Sequence, residues 1–303
     1  MRILVFGAGA LGIPFAALLA EAGNEVTLVA RSNHDTLVRD GLRIRRRGQP
    51  WRSVRTSMAR TVGAEPFELA VVLVRSNHLE PVLDQLANAP NIQDVLVMVQ
   101  NAGGYDQWTA ALGDRLVVGF AGAAGNFIDQ AVEYDFAPRF VQPTTIGEPT
   151  GGGSERCERI AGAFESAGIP TWICSDMNAW HKWHVAWITA MANSAQHAHG
   201  DLQAIRSASH RRLTIAAIHQ ATQALSAAGV PVQPPRLGML LGLPQPVHRG
   251  VLWLVTRLPL FEARLLPNAM TAEAEALACG NQLLEIGLEH GVDMSAWQQL
   301  LQR

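Results

Sequence analysis

Short apolar runs recur through the first half of the chain, at residues 3–6, 26–30, 69–74, 95–99 and 116–120. They are continuous rather than alternating, the pattern of strands covered on both faces. Stretches with helical spacing separate them. The opening is the most explicit: a strand at 3–6, the turn Gly7-Ala8-Gly9-Ala10-Leu11-Gly12, an Ala- and Leu-rich helix to about Ala22, the turn Gly23-Asn24, and a second strand at 26–30. Strands alternating with helices predict a parallel, doubly wound sheet and an α/β fold. A β-rich tail is expected from Val132 through Thr144-Thr145-Ile146-Gly147-Glu148, closing on Gly151-Gly152-Gly153. Beyond Ile173 the spacing turns helical, rich in Trp, His, Ala and Leu, and is broken by a proline-rich loop at 231–246 and by Pro259 and Pro267. Two domains are expected, residues 1–175 and an all-α part at 176–303, with the boundary near Ser175.

Composition agrees with that division. At 303 residues the chain exceeds the roughly 100–200 of one typical domain, and 48% apolar residues suffice for two cores. With 24 basic against 26 acidic residues, nothing favours a nucleic acid over a small molecule as partner. The run Arg43, Arg45, Arg46, Arg47, bracketed by Gly41 and Gly48, reads as a solvated hairpin. Cys157, Cys174 and Cys279 are odd in number and form no CxxC pair, which fits a reducing cytoplasm. The first apolar run ends in glycines without a cleavage site, and the apolar stretches at 15–20 and 251–260 stop far short of the ~20 residues of a membrane span. Segments 251–260 and 274–288 read as core or as a subunit contact, so a homodimer is a candidate assembly.

The glycine turn carries the first chemistry. It follows a strand directly and opens a helix, the context in which GxGxxG denotes a Rossmann-type dinucleotide site. Gly7 permits the tight turn, Gly9 lets a pyrophosphate approach the backbone, and Gly12 lets helix and strand pack closely; Ala8, Ala10 and Leu11 complete the loop. NAD-binding chains end the second strand in a carboxylate on the ribose 2′-hydroxyl. Here Val29-Ala30 is followed by Arg31 and Ser32, a cationic fork and a hydroxyl suited to a 2′-phosphate. The expected cofactor is NADP(H).

With these residues in view, the chain resembles the ketopantoate reductase family (2-dehydropantoate 2-reductases). The likeness includes the glycine turn, Arg31, the strand end Val74-Arg75-Ser76, Val99-Gln100-Asn101-Ala102-Gly103, and Thr145-Ile146-Gly147-Glu148. The resemblance implies a two-domain cytoplasmic reductase of pantothenate biosynthesis. By it, Arg75 replaces a lysine that contacts the cofactor phosphate, and Asn101 lies beside nicotinamide and substrate. Trp180-His181-Lys182 is similar to the family's Trp-x-Lys, whose lysine is the general acid, so Lys182 is the catalytic candidate. An ammonium held against a ketone oxygen stabilises and protonates the alkoxide that hydride transfer creates. On a regular helix Trp180, Trp183 and Trp187 share one face and Lys182 points about 160° away.

The second half departs from the family. Its helical asparagines four and eight residues after the lysine are replaced by Ala186 and Ala190, leaving Thr189 as the nearest substitute, whereas Asn193 lies about 16 Å along the helix. The later acidic segment is out of register, with Glu273 and Glu275 as candidate substrate contacts ahead of Cys279-Gly280. Two readings follow: a reductase of a 2-oxo acid or of a more apolar carbonyl or imine, or a catalytically silent NADPH-binding sensor or interaction protein. His181, His184, His197 and His199 lack an accompanying carboxylate or cysteine set, so no metal is expected and they read as polar surface or hydrogen-bonding residues.

Overall fold

A computed structural model describes residues 1–236, 245–259 and 261–302. It divides into two compact units: Met1–Val99 with Tyr105–Met177, and Gln100–Gly104 with Asn178–Arg303.

The strands of the first unit are β1 (Arg2–Phe6), β2 (Glu25–Val29), β3 (Leu42–Arg46), β4 (Arg52–Val54), β5 (Ser57–Ala59), β6 (Phe67–Val72), β7 (Ile92–Val97), β8 (Leu116–Phe120), β9 (Ala123–Ile128), β10 (Ala131–Phe136), β11 (Thr144–Gly147) and β12 (Thr171–Ile173). Its helices are α1 (Gly12–Glu21), α2 (His34–Asp40), α3 (Glu80–Ala87), α4 (Asp106–Leu112) and α5 (Glu155–Ser166). The main sheet has the order β12-β11-β8-β7-β6-β1-β2-β5. The six strands from β8 to β5 are mutually parallel, with the chain leaving β1 toward β2 on one side and returning through β6 on the other. That is the doubly wound dinucleotide-binding order, and its switch point lies between β1 and β6. The strands are buried on both faces: Ile3, Val5, Leu69, Val71, Leu96 and Val117 are all inaccessible to solvent.

Two features depart from the simple parallel sheet read in the sequence. β11 runs antiparallel to β8 because no helix crosses between them, whereas α5 carries the chain from β11 to a parallel β12. β10, the first strand of the expected tail, joins β9 and the arginine hairpin in a separate sheet, β4-β3-β10-β9, while β11 belongs to the main sheet. Pairing β3 with β10 sets the arginine run against acids far away in the chain. Arg45 and Arg47 meet Glu133 at 2.8 and 3.6 Å, Arg46 meets Asp135 at 3.3 Å, and Arg52 meets Glu21 at 2.8 Å. Three of the four arginines of the run are thus paired within its own unit.

Glu148, at the end of the Thr-Ile-Gly-Glu segment, anchors α5. Its carboxylate accepts from Arg156 Nε at 2.7 Å, and the same guanidinium donates to the Leu116 carbonyl at 3.0 Å and reaches Asp94 at 3.4 Å. Asp94, 4% exposed, also takes Arg159 at 2.6 Å. The Arg156 guanidinium beside Glu148 holds its carboxyl below the usual range.

The second unit is helical: α6 (Met177–His184), a π-helical turn at Val185–Thr189, α7 (Ala190–His197), α8 (Leu202–Ile205), α9 (Ala208–Ala227), α10 (Gln245–Val255), a second π turn at Phe261–Leu265, α11 (Leu266–Thr271), α12 (Glu273–Glu289) and α13 (Ser295–Leu301). Its core gathers Trp183, Ala217, Ala221, Leu225, Leu283 and Trp297. Both indoles are satisfied, Trp183 by the Pro231 carbonyl at 2.8 Å and Trp297 by the Gly280 carbonyl at 2.9 Å. Residues 100–104 belong here rather than to the first unit, because Ala102 is buried in this core. In the expected loop at 231–246, residues 237–244 lie outside the described residues and α10 already begins at Gln245. Segment 251–260, of which Leu260 is not described, is core on one side only: Leu252 and Thr256 are buried, whereas Val251, Trp253 and Leu254 are exposed. Among the described residues no helix is long and apolar enough to cross a membrane.

Candidate active site

In the first unit the glycine turn shows three different backbone roles. Gly7 has φ +107°, open to glycine but rare for other residues, and a Cβ there would stand 2.2 Å from the Leu73 carbonyl just beyond β6. A Cβ at Gly12 would stand 1.7 Å from the Gly7 carbonyl. At Gly9 nothing lies within 4 Å. Gly7 and Gly12 thus shape the loop, while Gly9 leaves room beside the backbone, the cradle a pyrophosphate requires. Helix α1 starts at Gly12, where the Ile13 and Phe15 N–H groups donate to the Gly9 and Leu11 carbonyls at 3.1 Å, and the helix dipole at this end favours an anion.

Neighbouring strand ends complete this edge. Arg31 and Ser32 follow β2 and are exposed; Arg75 follows β6 and is exposed as well. Topology therefore brings the glycine loop, Arg31, Ser32 and Arg75 to the carboxyl ends of three adjacent strands, β2, β1 and β6. Residues unnoticed in the sequence support them. Asn33 Nδ2 donates to the Ala8 carbonyl at 3.2 Å, tying the end of β2 to the loop. Gly125 of β9 packs on the loop so closely that a Cβ would stand 2.0 Å from the Ala10 carbonyl. No local sequence signal separates Gly125 from an ordinary strand glycine. A concavity of about 640 Å³ lined by Met1, Arg2, Glu25 and Glu68 lies at the opposite, amino-terminal edge, where Arg2 is already paired with Glu25.

In the second unit Lys182 is partly buried on α6, and its Nζ donates to Asn178 Oδ1 at 2.7 Å. Asn178 stands one turn before the lysine on the same helical side, the direction opposite to Ala186 and Ala190. The regular-helix placement of residues beyond the lysine needs correction. Val185–Thr189 is π-helical, so steps of 100° cannot be carried across it. Trp180 and Trp183 are buried as expected, but Trp187 is only half-buried. Thr189 is 2% exposed, and its hydroxyl has no hydrogen-bond partner. Asn193 is spent on the Ala276 carbonyl at 3.2 Å.

Asn101 is 6% exposed and folds onto its own turn, accepting from the Gly103 N–H at 2.9 Å and donating to the Gly104 carbonyl. Gln282 of α12 holds that turn by accepting the Ala102 N–H at 2.8 Å. The amide of Asn101 keeps one N–H and one lone pair beyond these bonds. Glu273 is exposed in the first turn of α12, and Glu275 is half-buried there. Burial, with the charge of Glu275 adding to it, pushes the Cys279 thiol up to about 12.

His199 is exposed and His197 Nδ1 lies 3.0 Å from the Gln302 carbonyl, as read in the sequence, but the other two histidines are not at the surface. His181 and His184 are buried, and His184 stacks on Trp180 with ring centroids 4.8 Å apart. Burial and the neighbouring His181 push the His184 imidazole down to about 3, so it is neutral at physiological pH. Among the described residues no group of three His, Cys, Asp or Glu side chains is placed to hold a metal ion.

A glycine loop at the switch point of a doubly wound sheet, with cationic side chains at the flanking strand ends, has the form of a dinucleotide-binding site. Residues 3–148, just under half of the chain, match the family model of ketopantoate reductase PanE/ApbA. A 2-dehydropantoate 2-reductase of Mesorhizobium japonicum is 30% identical over 207 residues, 59% of this chain and 61% of that protein. The chain spans about three fifths to two thirds of the length of the curated relatives it matches. The crystal structure of 2-dehydropantoate 2-reductase from Geobacter metallireducens covers 99% of this chain and 98% of its own, with TM-score 0.78 and 17% identity. A D-mandelate dehydrogenase solved with NADH and anilino(oxo)acetate covers 99% and 96%, with TM-score 0.78 and 12% identity. Both structures share the fold.

Proposed function

We propose that the protein is an NADPH-dependent reductase of a 2-oxo acid or a related carbonyl compound, with residues 1–175 serving the cofactor and 176–303 the substrate. The observation that carries this reading is the open backbone at Gly9 together with the exposed, cationic Arg31 at the end of β2. Gly7–Gly12 would hold the pyrophosphate, Arg31 and Ser32 the 2′-phosphate, and Arg75 a further phosphate oxygen. Bound there, the dihydronicotinamide supplies the hydride. Lys182 supplies the proton: its ammonium, oriented by Asn178, donates to the oxygen on which negative charge develops. Asn101, its turn pinned by Gln282, offers its remaining N–H to substrate or nicotinamide.

The substrate side favours a less polar acyl group than ketopantoate. At the positions where the family has asparagines this chain has Ala186 and Ala190, which pack in the core of the helical unit and supply no hydrogen bond to a substrate. A reductase of aryl- or alkyl-substituted 2-oxo acids is therefore preferred over a strict ketopantoate enzyme, and D-mandelate dehydrogenase shows that the fold accommodates an aromatic 2-oxo acid analogue.

The test is NADPH oxidation across a panel of 2-oxo acids, ketopantoate included, with apolar ketones and imines. Turnover should fall about 10²- to 10⁴-fold in Lys182→Ala while NADPH affinity holds within twofold. Arg31→Ala should weaken NADPH far more than NADH. No oxidation of NADPH by any member of the panel would sink the enzyme and leave the sensor reading.

A further inference from the structure

Two guanidinium-bearing residues follow neighbouring strands at the carboxyl edge of the main sheet. Val29 of β2 pairs with Ala59 of β5, and the Ala30 N–H donates to the Ala59 carbonyl at 2.9 Å, so Arg31 and Arg60 leave the sheet side by side. Arg60 Nη1 lies 3.4 Å from the Arg31 carbonyl. Its Nη2 donates to Asp35 Oδ1 at 2.6 Å, and His34 Nδ1 stands 3.0 Å from the same oxygen. Asp35 is the first acidic residue after β2, one helical turn beyond Arg31. It is therefore the carboxylate available to a ribose hydroxyl at this edge, and a source of repulsion for any phosphate placed there.

We propose that Arg60 is a positioning residue for cofactor choice: by pairing with Asp35 it withdraws that carboxylate from the ribose end and leaves Arg31 as the uncompensated charge facing a 2′-phosphate. The inference rests on the NADPH reading. Charge makes it specific. Arg31, Arg60 and Asp35 together carry one net positive charge, and without the Arg60 guanidinium they carry none. Arg60 and Asp35 are both exposed, with side chains 55% and 83% accessible, so replacing them changes the local field without opening a core.

Calorimetric titration of the full chain with NADPH and with NADH tests this without a substrate. Arg60→Gln should lower the NADPH-over-NADH preference about fivefold, the effect of one screened charge a few ångströms from a phosphate. The loss should shrink as salt is raised. Asp35→Asn placed in the Arg60→Gln chain restores the net charge and should restore the preference. An unchanged preference in Arg60→Gln overturns the inference, as does a loss that Asp35→Asn fails to restore, which would mean that Arg60 acts on the phosphate itself. Arg31→Ala separates the two levels. Equal weakening of both nucleotides there removes the NADPH reading and this inference with it, whereas selective loss in Arg31→Ala beside an unaltered Arg60→Gln removes the inference alone.

Discussion

The glycine loop and the π turn after Lys182 are built on opposite principles. In the loop, backbone does the work: Gly7 and Gly12 are required because any Cβ would strike a carbonyl oxygen, and Gly9 is required because its side must stay empty. In the helical unit, side chains do it, and where each side chain points depends on a helix whose period changes at Val185–Thr189. A backbone device is written in residue identity alone. A side-chain device is written in identity and phase, and one irregular turn alters the phase.

Substitutions can break this contrast. Gly12→Ala should be the most damaging, costing about 3 kcal/mol and abolishing cofactor binding, because its Cβ would meet the Gly7 carbonyl at 1.7 Å. Gly9→Ala should leave the melting temperature unchanged and weaken only NADPH. Thermal unfolding and nucleotide titration of the pair check both, and equal stability losses would show that the three glycines do not divide their roles.

Asp94→Ala comes next in size. It strips two guanidinium partners, at 2.6 and 3.4 Å, of a carboxylate almost fully removed from water. Urea unfolding should show a loss of about 3 kcal/mol with NADPH affinity retained in the folded fraction. A loss below ~1 kcal/mol would mean that α5 is held by its apolar face instead.

A smaller, pH-dependent effect belongs to His184. Its pKa falls from 6.5 in the unfolded chain to about 3 in the folded one. The unfolded state therefore binds the extra proton, and the contribution is complete above pH 6.5 and is lost as pH falls from 6.5 toward 3, at up to about 1.4 kcal/mol per pH unit. His184→Phe should flatten that part of the stability profile; an unchanged slope would assign it to other groups. The smallest effect is expected at Thr189→Val. Replacing a sealed hydroxyl that has no partner should stabilise by roughly 1 kcal/mol, and destabilisation would reveal a bond to that oxygen.

Much of the first unit was legible because its signals are local. Continuous apolar runs marked the buried strands, and the glycine spacing marked the loop. What local signals do not carry there depends on pairing between distant segments: β3 with β10, which brings Arg45, Arg46 and Arg47 to acids, and β2 with β5, which sets Arg60 beside Arg31. In the second unit Lys182 was found by resemblance, whereas Asn178 was missed because partners were sought only downstream of the lysine. The two bonds that fold the Asn101 amide onto its own turn are a local hydrogen-bond choice that residue type does not reveal.

Sequence by itself determined the strand–turn–helix opening, the glycine at position 9 and the absence of an acid immediately after β2, because each follows from residue type and immediate neighbours. Tertiary structure alone decided that residues 100–104 join the helical unit, that Glu148 is an anchor for α5, and that His184 is neutral. Those outcomes depend on burial and on partners brought from elsewhere in the chain, since desolvation and ion pairing act through space rather than along the backbone.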